Sequence, residues 1–299
     1  MANFPTIAIG LPFVHSSGLV PILDLYPNAA AAYSLRLLRT AYSGNAILLR
    51  RSSDNATQQI GFVDGNFDLA SATAFIGGGS GFIVTWYDQS GNDRNVTNAV
   101  AANQPKLSLN TFNGKSTVLF DTNLQQLQGN FGVFTYTGAG DFYVANSSSQ
   151  AVAGQYGSYL HQGNSIGTNK AQLLIFNQTF PNANIKPSLD SYAGIIANQT
   201  SASNTNLNEK VIFRFSWSNW STANTNGNTI ISKNGTNYGL TFPTNPNSLL
   251  TNKTTIGRTD DGGFVSQQQF FGSIPEVIIY TSQQSASGII QDQLNYYGI

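Results

Sequence analysis

Short strand-like runs punctuated by turn residues fill the chain from about residue 80 to its end, and this rhythm most restricts what it can fold into. Runs at 118–121, 131–136, 142–146, 172–176, 211–217, 229–233, 254–257 and 275–280 are rich in β-branched and aromatic residues. Clusters of Asn, Gly, Ser and Pro separate them, so hydrophobic segments of strand length recur with turn signals between. Earlier runs at 47–51 and 59–63 read the same way. Many short strands with almost no helix predict an all-β sandwich or barrel. Helical periodicity is expected in two places. Asn28 is placed to cap a helix over 28–39, with Ala30, Tyr33, Leu37 and Ala41 on one face, and a second short helix is expected over 285–295, with Ile290, Leu294 and Tyr297 on one stripe.

The most informative run is Val84-Thr85-Trp86-Tyr87-Asp88-Gln89-Ser90-Gly91-Asn92. Strict alternation places Phe82, Val84 and Trp86 on one face and Ile83, Thr85 and Tyr87 on the other. The strand ends in Asp-Gln-Ser-Gly-Asn-Asp, residues that bond their own backbone and accept left-handed conformations. Asp88 is thereby expected to accept from backbone amides of its own turn or of the 24–28 segment. Trp86 and Trp217, both on strands, are expected in the core. Trp220, in the Asn/Thr-rich loop over 219–228, is the surface candidate for stacking on a sugar ring.

Composition narrows the function. Charged residues make up 9% of the 299, with 14 basic against 14 acidic, where ordinary domains carry about 25%. An amide- and hydroxyl-rich neutral surface suits sugars or neighbouring subunits, and no basic stripe points to nucleic acid. No segment approaches the roughly 20 apolar residues of a membrane span. Without cysteine there are no disulfides and no thiolate chemistry. His15 and His161 lie far apart, and no G-x-S-x-G elbow supports a serine triad. Gly114-Lys115-Ser116 lacks the first glycine of a P-loop, since Leu109 stands there, and reads as a hairpin turn. Calcium is a possible ligand of Asp88, Asp93, Asp260 or Asp261, although no loop spacing is diagnostic. No other cofactor is implied.

Residues 1–22 contain no Asp, Glu, Lys or Arg and carry Pro5, Pro12 and Pro21 among apolar residues. They predict an extended docking arm ahead of a domain spanning 23–299, packing on another copy or on a different protein. No Lys or Arg precedes Arg36, so the basic region of a secretory signal is missing.

Asp24-Leu25-Tyr26, Ala32-Tyr33-Ser34, Arg50-Arg51-Ser52-Ser53-Asp54 and Tyr87-Asp88-Gln89-Ser90-Gly91-Asn92 together resemble the catalytic domain of family 54 α-L-arabinofuranosidases. Toward the C-terminus, Thr255-Ile256-Gly257, Phe271-Gly272-Ser273-Ile274-Pro275-Glu276-Val277-Ile278-Ile279-Tyr280 and Tyr296-Tyr297-Gly298-Ile299 are similar to the concanavalin A-like (laminin-G-like) group. The resemblance implies a two-sheet jelly-roll β-sandwich. The same modules, arm included, also resemble domains found in phage structural proteins.

The same resemblance frames the chemistry. A retaining glycosidase needs two carboxyl groups about 5–5.5 Å apart. The family's acid maps to Asp261, in Asp260-Asp261-Gly262-Gly263, while its nucleophile falls near Asn177-Gln178, where amides stand. The chain's two glutamates are Glu209, read as a solvated edge, and Glu276, on the family's structural strand. One carboxylate without its partner removes the covalent step. The sequence thus predicts a non-catalytic virion surface protein, extracellular, homo-oligomeric and bound to other virion proteins through its arm. A cell-surface glycan would be held by Trp220, Asp261, Asp88 and Asn177. The alternatives are a secreted arabinofuranosidase-like hydrolase and a carbohydrate-binding module.

Overall fold

A computed structural model describes residues 20–129, 131, 139–149, 156–164, 171–180, 184–193, 206–217, 229–240, 253–259 and 269–299. In chain order the elements are α1 (Ile22–Leu25), β1 (Ala31–Ser34), β2 (Ile47–Arg51), β3 (Thr57–Ile60), β4 (Phe62–Val63), β5 (Asn66–Phe67), α2 (Leu69–Ile76), β6 (Gly81–Trp86), β7 (Val96–Thr97), β8 (Lys106–Phe112) and β9 (Lys115–Phe120). There follow β10 (Leu127–Gly129), β11 (Gly140–Ser148), β12 (Tyr156–Asn164), β13 (Ala171–Phe180), β14 (Asn184–Ala193), β15 (Val211–Trp217), β16 (Thr229–Lys233), β17 (Thr236–Leu240), β18 (Thr254–Ile256), β19 (Gly272–Tyr280) and α3 (Ala286–Tyr297). Residues 132–136 of the expected run at 131–136 and the Asn/Thr-rich loop over 219–228 lie outside the described residues, as do residues 1–19 of the expected arm.

The antiparallel pairings sort into two layers. One is β1-β19-β11-β15-β16-β17, and the larger is β3-β2-β6-β7-β10-β18-β12-β13-β14. The β8–β9 hairpin bridges them, β9 pairing with the start of β19 and β8 with β6. Its two-residue turn is Asn113-Gly114, with φ of 49° and 79°, which is the left-handed pair that a tight hairpin demands. This is the sandwich that the strand rhythm allowed, in the jelly-roll form that the resemblance implied.

Alternation explains why the smaller sheet is covered twice. Phe142 and Val144 of β11, Val277 and Ile279 of β19 and Phe213 and Phe215 of β15 face the larger sheet, where Ile47, Leu49, Ile83, Trp86, Leu127, Leu160 and Ile256 complete one core. The intervening Tyr143, Ala145, Ile278, Tyr280 and Ile212 form a second core under α3, which contributes Ile289, Ile290 and Tyr297. Each of the larger side chains buried this way contributes about 1.5–3 kcal/mol. Gly298, at φ 64°, ends α3 and donates to the Leu294 carbonyl, the usual left-handed helix stop.

Three local expectations are overturned. Residues 28–39 are not a helix: Asn28 has φ 67°, outside N-cap geometry, and β1 pairs residue for residue with β19. All four β1 residues are buried, so its apolar residues satisfy two sheet faces and local helix propensity is overridden. The alternation of β6 also fails. Leu48 pairs with Thr85 and Leu49 with Ile83, leaving Val84 as a bulge; Ile83 and Trp86 therefore both reach the core, while Phe82 and Val84 are half-buried. Finally, a helix stands where the sequence predicted none: α2 ends at Gly77, at φ 61°, and Asp68 caps its other end by accepting from the Ser71 amide at 2.9 Å.

Candidate functional site at one edge of the larger sheet

β13 and β18 both flank β12 and both run antiparallel to it, Leu160 facing Ile175 on one side and Ile256 on the other. The two strands therefore run in the same direction and leave the sheet at the same edge. Following β13 past Ile175 reaches Asn177 and Gln178, and following β18 past Ile256 leads into the segment that carries Asp260 and Asp261. The strand that bears Asn177 and Gln178 thus lies two positions, about 10 Å, from the strand that leads toward Asp260 and Asp261 in sequence.

The base of that segment is closely fixed. Gly257 has φ 89°, and a Cβ there would sit 2.1 Å from the Phe120 ring, so only glycine lets the chain turn over it. Buried Gln269 donates through Nε2 to the carbonyls of Gln125, Gly257 and Phe270, each at 2.9 Å, and an Arg258–Gln269 bridge closes the base. Asp260 and Asp261 themselves lie outside the described residues, as does Trp220. Asn177 is placed on β13 by its backbone alone.

A second feature of this region escaped the sequence reading. On the face of the larger sheet away from the core, a direct cross-strand row runs Thr85, Thr97, Gln128, Thr255 and His161, then by register to Leu174 and Asp190. His161 is 2% exposed and Thr255 is fully buried; the Thr255 hydroxyl has no hydrogen-bond partner among the described residues. Alternation within each run was visible, but the register that aligns seven strands was not.

Asp88 corrects the expected glycan set. Its carboxylate is 3% exposed and accepts from the amides of Ala32, Ser90 and Arg94 and from the Ser90 hydroxyl, at 2.7–3.0 Å. It bonds its own turn as anticipated, but its partner elsewhere is Ala32, not the 24–28 segment. Gln89 continues the stitching. It donates through Nε2 to the Ser34 and Arg36 carbonyls and accepts from the Leu38 amide, while Asn92 donates to the Ala29 and Ala30 carbonyls. The motif ties down residues 29–38, and both Asp88 carboxylate oxygens are taken up by its four donors rather than presented to a sugar or a calcium ion.

Other described carboxylates are likewise engaged in the scaffold. Glu276 is fully buried; burial opposes its ionisation, but the Arg36 guanidinium, together with donors from Gln293 and Ser34, holds it below the ordinary glutamate range. Asp141, also fully buried, pairs with Arg214 at 3.0 Å. Asp292 pairs with Arg36, Asp54 with Arg51, Asp121 with Lys106 and Glu209 with Lys233. Asp24 accepts from Thr40, Asp93 from Asn95, Asp68 caps α2, and Asp64 forms the exposed β4–β5 turn. Of the chain's 14 acidic residues, Asp190, Asp260 and Asp261 are those whose side chains lie outside the described residues. No group of three or more possible metal ligands occurs among the described residues, and no described helix is long and apolar enough to cross a membrane.

Comparison with known proteins follows this geometry. A family 54 α-L-arabinofuranosidase mutant soaked with 4-nitrophenyl α-L-arabinofuranoside superimposes with a TM-score of 0.65 at 16% identity, over 93% of this chain and 64% of that one. An arabinofuranosidase complexed with arabinofuranosyl-α-1,2-xylobiose gives 0.65 at 17% identity with the same coverage. At such identity the likeness establishes the sandwich fold, and this chain spans 64% of the length of those enzymes. No curated protein matches. Residues 24–207 match the family described as alpha-L-arabinofuranosidase B, catalytic, a span that takes in β1 to β14 and most of the motif residues above. The chain belongs to the alpha-L-arabinofuranosidase B catalytic family.

Proposed function

We propose that this chain is a glycoside hydrolase domain of the α-L-arabinofuranosidase type, acting on arabinofuranosyl groups at the edge where β12, β13 and β18 meet. The carrying observation is the match of residues 24–207 to the arabinofuranosidase B catalytic family. The described carboxylates nearest the scaffold serve in ion pairs and caps, so the candidates for acid–base work are taken from Asp190, Asp260 and Asp261, whose side chains lie outside the described residues. Asp261 is assigned as the general acid, by its position in the resemblance, and the partner carboxylate comes from Asp190 or Asp260. In a retaining cycle the partner attacks the anomeric carbon while Asp261 protonates the departing oxygen; Asp261 then takes a proton from the water that releases the sugar. Initial rates on 4-nitrophenyl α-L-arabinofuranoside test the assignment: saturable release of nitrophenol supports it, and a folded protein giving none contradicts it.

A second reading rests on one specific feature, the amides Asn177 and Gln178 where the family's nucleophile is expected. Under it the same edge binds the furanose without cleaving it, and Trp220 stacks on the ring beside Asp261 and Asn177. Saturable binding of an arabinofuranoside with no turnover would favour this reading. The virion-surface role drew on the apolar segment 1–22. Its final residue, Ile22, opens α1 and is buried in the second core, and neither the fold nor the family match supplies a virion context.

A further inference from the structure

A second cleft is built from elements that take no part in the edge described above. It lies between β5, the β8–β9 hairpin and the end of α3, has a volume of about 320 Å³, and is lined by Arg36, Asn66, Asn110, Lys115, Ser116 and Tyr296 among others. That volume is at the small end of ligand pockets, about 300–1,000 Å³. No carboxylate lines it.

The two cations in the lining differ in standing. Arg36 is neutralised by Glu276 and Asp292. Lys115 has no ion pair among the described residues. Its ammonium sits 4.2 Å above the Tyr296 ring and reaches Asn66 Oδ1 only at 3.5 Å, an oxygen already bonded by the Tyr296 hydroxyl at 3.2 Å. Burial, and then the Arg36 charge, lower the Lys115 pKa below the ordinary lysine value. Lys115 thus stands in a partly desolvated place with no carboxylate within ion-pair distance among the described residues, and an incoming anion would partner it directly.

We propose that this cleft binds a carboxylate-bearing sugar, a uronic acid, with Lys115 as the charge partner and Asn66, Asn110 and Ser116 bonding ring hydroxyls. A single free charge matches a monoanion. Apart from Arg36, which is held by its two carboxylates, the remaining polar groups are amides and hydroxyls, suited to ring hydroxyls and unable to neutralise a second charge. A phosphate cradle is disfavoured by the local backbone: Gly114-Lys115-Ser116 runs from a hairpin turn into a strand, and the N-terminus of α2, which reaches the cleft at Leu69, already has the Asp68 carboxylate on its Ser71 amide. The sugar part of the assignment rests on the carbohydrate reading above; the anion part does not.

Calorimetric titration of the full chain with D-glucuronate, D-glucose and inorganic phosphate tests it. The expected result is saturable glucuronate binding that weakens with salt, falls at least tenfold in Lys115→Met and also in Asn66→Ala, and survives within a few-fold in Lys115→Arg. Glucose or phosphate binding as tightly as glucuronate, no glucuronate binding, or binding untouched by Lys115→Met in a variant that melts like the parent would overturn it. Asp261→Asn should bind glucuronate as the parent does. A chain that binds glucuronate yet never cleaves an arabinofuranoside therefore keeps this site and loses the hydrolase assignment.

Discussion

Arg36 and Glu276, 240 residues apart, form a bidentate ion pair beneath α3, with Nε–Oε2 at 2.8 Å and Nη2–Oε1 at 3.0 Å. Ser34, Gln293 and Tyr297 also donate to the Glu276 carboxylate, at 2.9–3.1 Å. The pair joins the segment after β1 to the last strand and the last helix. Removing one partner strands a buried charge, so Glu276→Ala is expected to cost about 3–5 kcal/mol in a denaturant melt.

The same cluster sets a pH dependence. Glu276 has a lowered folded pKa, so its stabilisation is fully present above the ordinary glutamate range of about 4.3 and is lost as pH falls through the folded value. Asp292 is shifted the other way, raised by burial against the pull of Arg36, so protonating it as pH falls favours the folded state and partly offsets that loss. Melting temperatures between pH 6 and 3 should therefore fall more steeply in Asp292→Asn than in the parent, and less steeply in Glu276→Gln.

Trp86 has no exposed surface and packs its ring 5.8 Å from that of Tyr33. Trp86→Ala should destabilise by about 3–5 kcal/mol as a large core truncation. The indole N–H has no hydrogen-bond partner among the described residues, so Trp86→Phe gives up volume and no bond. Its cost should be clearly the smaller of the two in paired urea melts.

Asp88 collects four donors, and an amide in its place would turn an NH₂ toward some of them. Asp88→Asn is expected to lose about 2 kcal/mol, in line with a hydrogen bond to a charged group. Amide exchange at Ala32, Ser90 and Arg94 should accelerate together, because one carboxylate restrains all three.

The strands were legible because their chemistry is local. β2, β15 and β16 begin and end where the β-branched and aromatic runs do, and Asn113-Gly114 announces its hairpin. Misread segments depend on distant residues. Nothing in Ala31-Ala32-Tyr33-Ser34 says that Ile278 and Ile279 lie beside it, and the Val84 bulge follows from the way β2 pairs. At the candidate site, the types were legible and their assembly was not. Asp261 and Asn177 could be singled out by resemblance, but that β13 and β18 flank β12 and run in the same direction follows from pairings remote in sequence. The motif containing Asp88 looked like a site in sequence because polar residues that stitch backbone resemble polar residues that hold a ligand.

The hydrolase assignment is tested most directly by initial rates on 4-nitrophenyl α-L-arabinofuranoside for the parent and for Asp190→Asn, Asp260→Asn and Asp261→Asn, each shown to melt cooperatively. The account predicts saturable turnover by the parent, a loss of about 10²–10⁴-fold in Asp261→Asn, as for removal of a general acid, and a comparable or larger loss in one of the other two. A parent that binds the arabinoside without releasing nitrophenol, or turnover that survives all three substitutions, would contradict it.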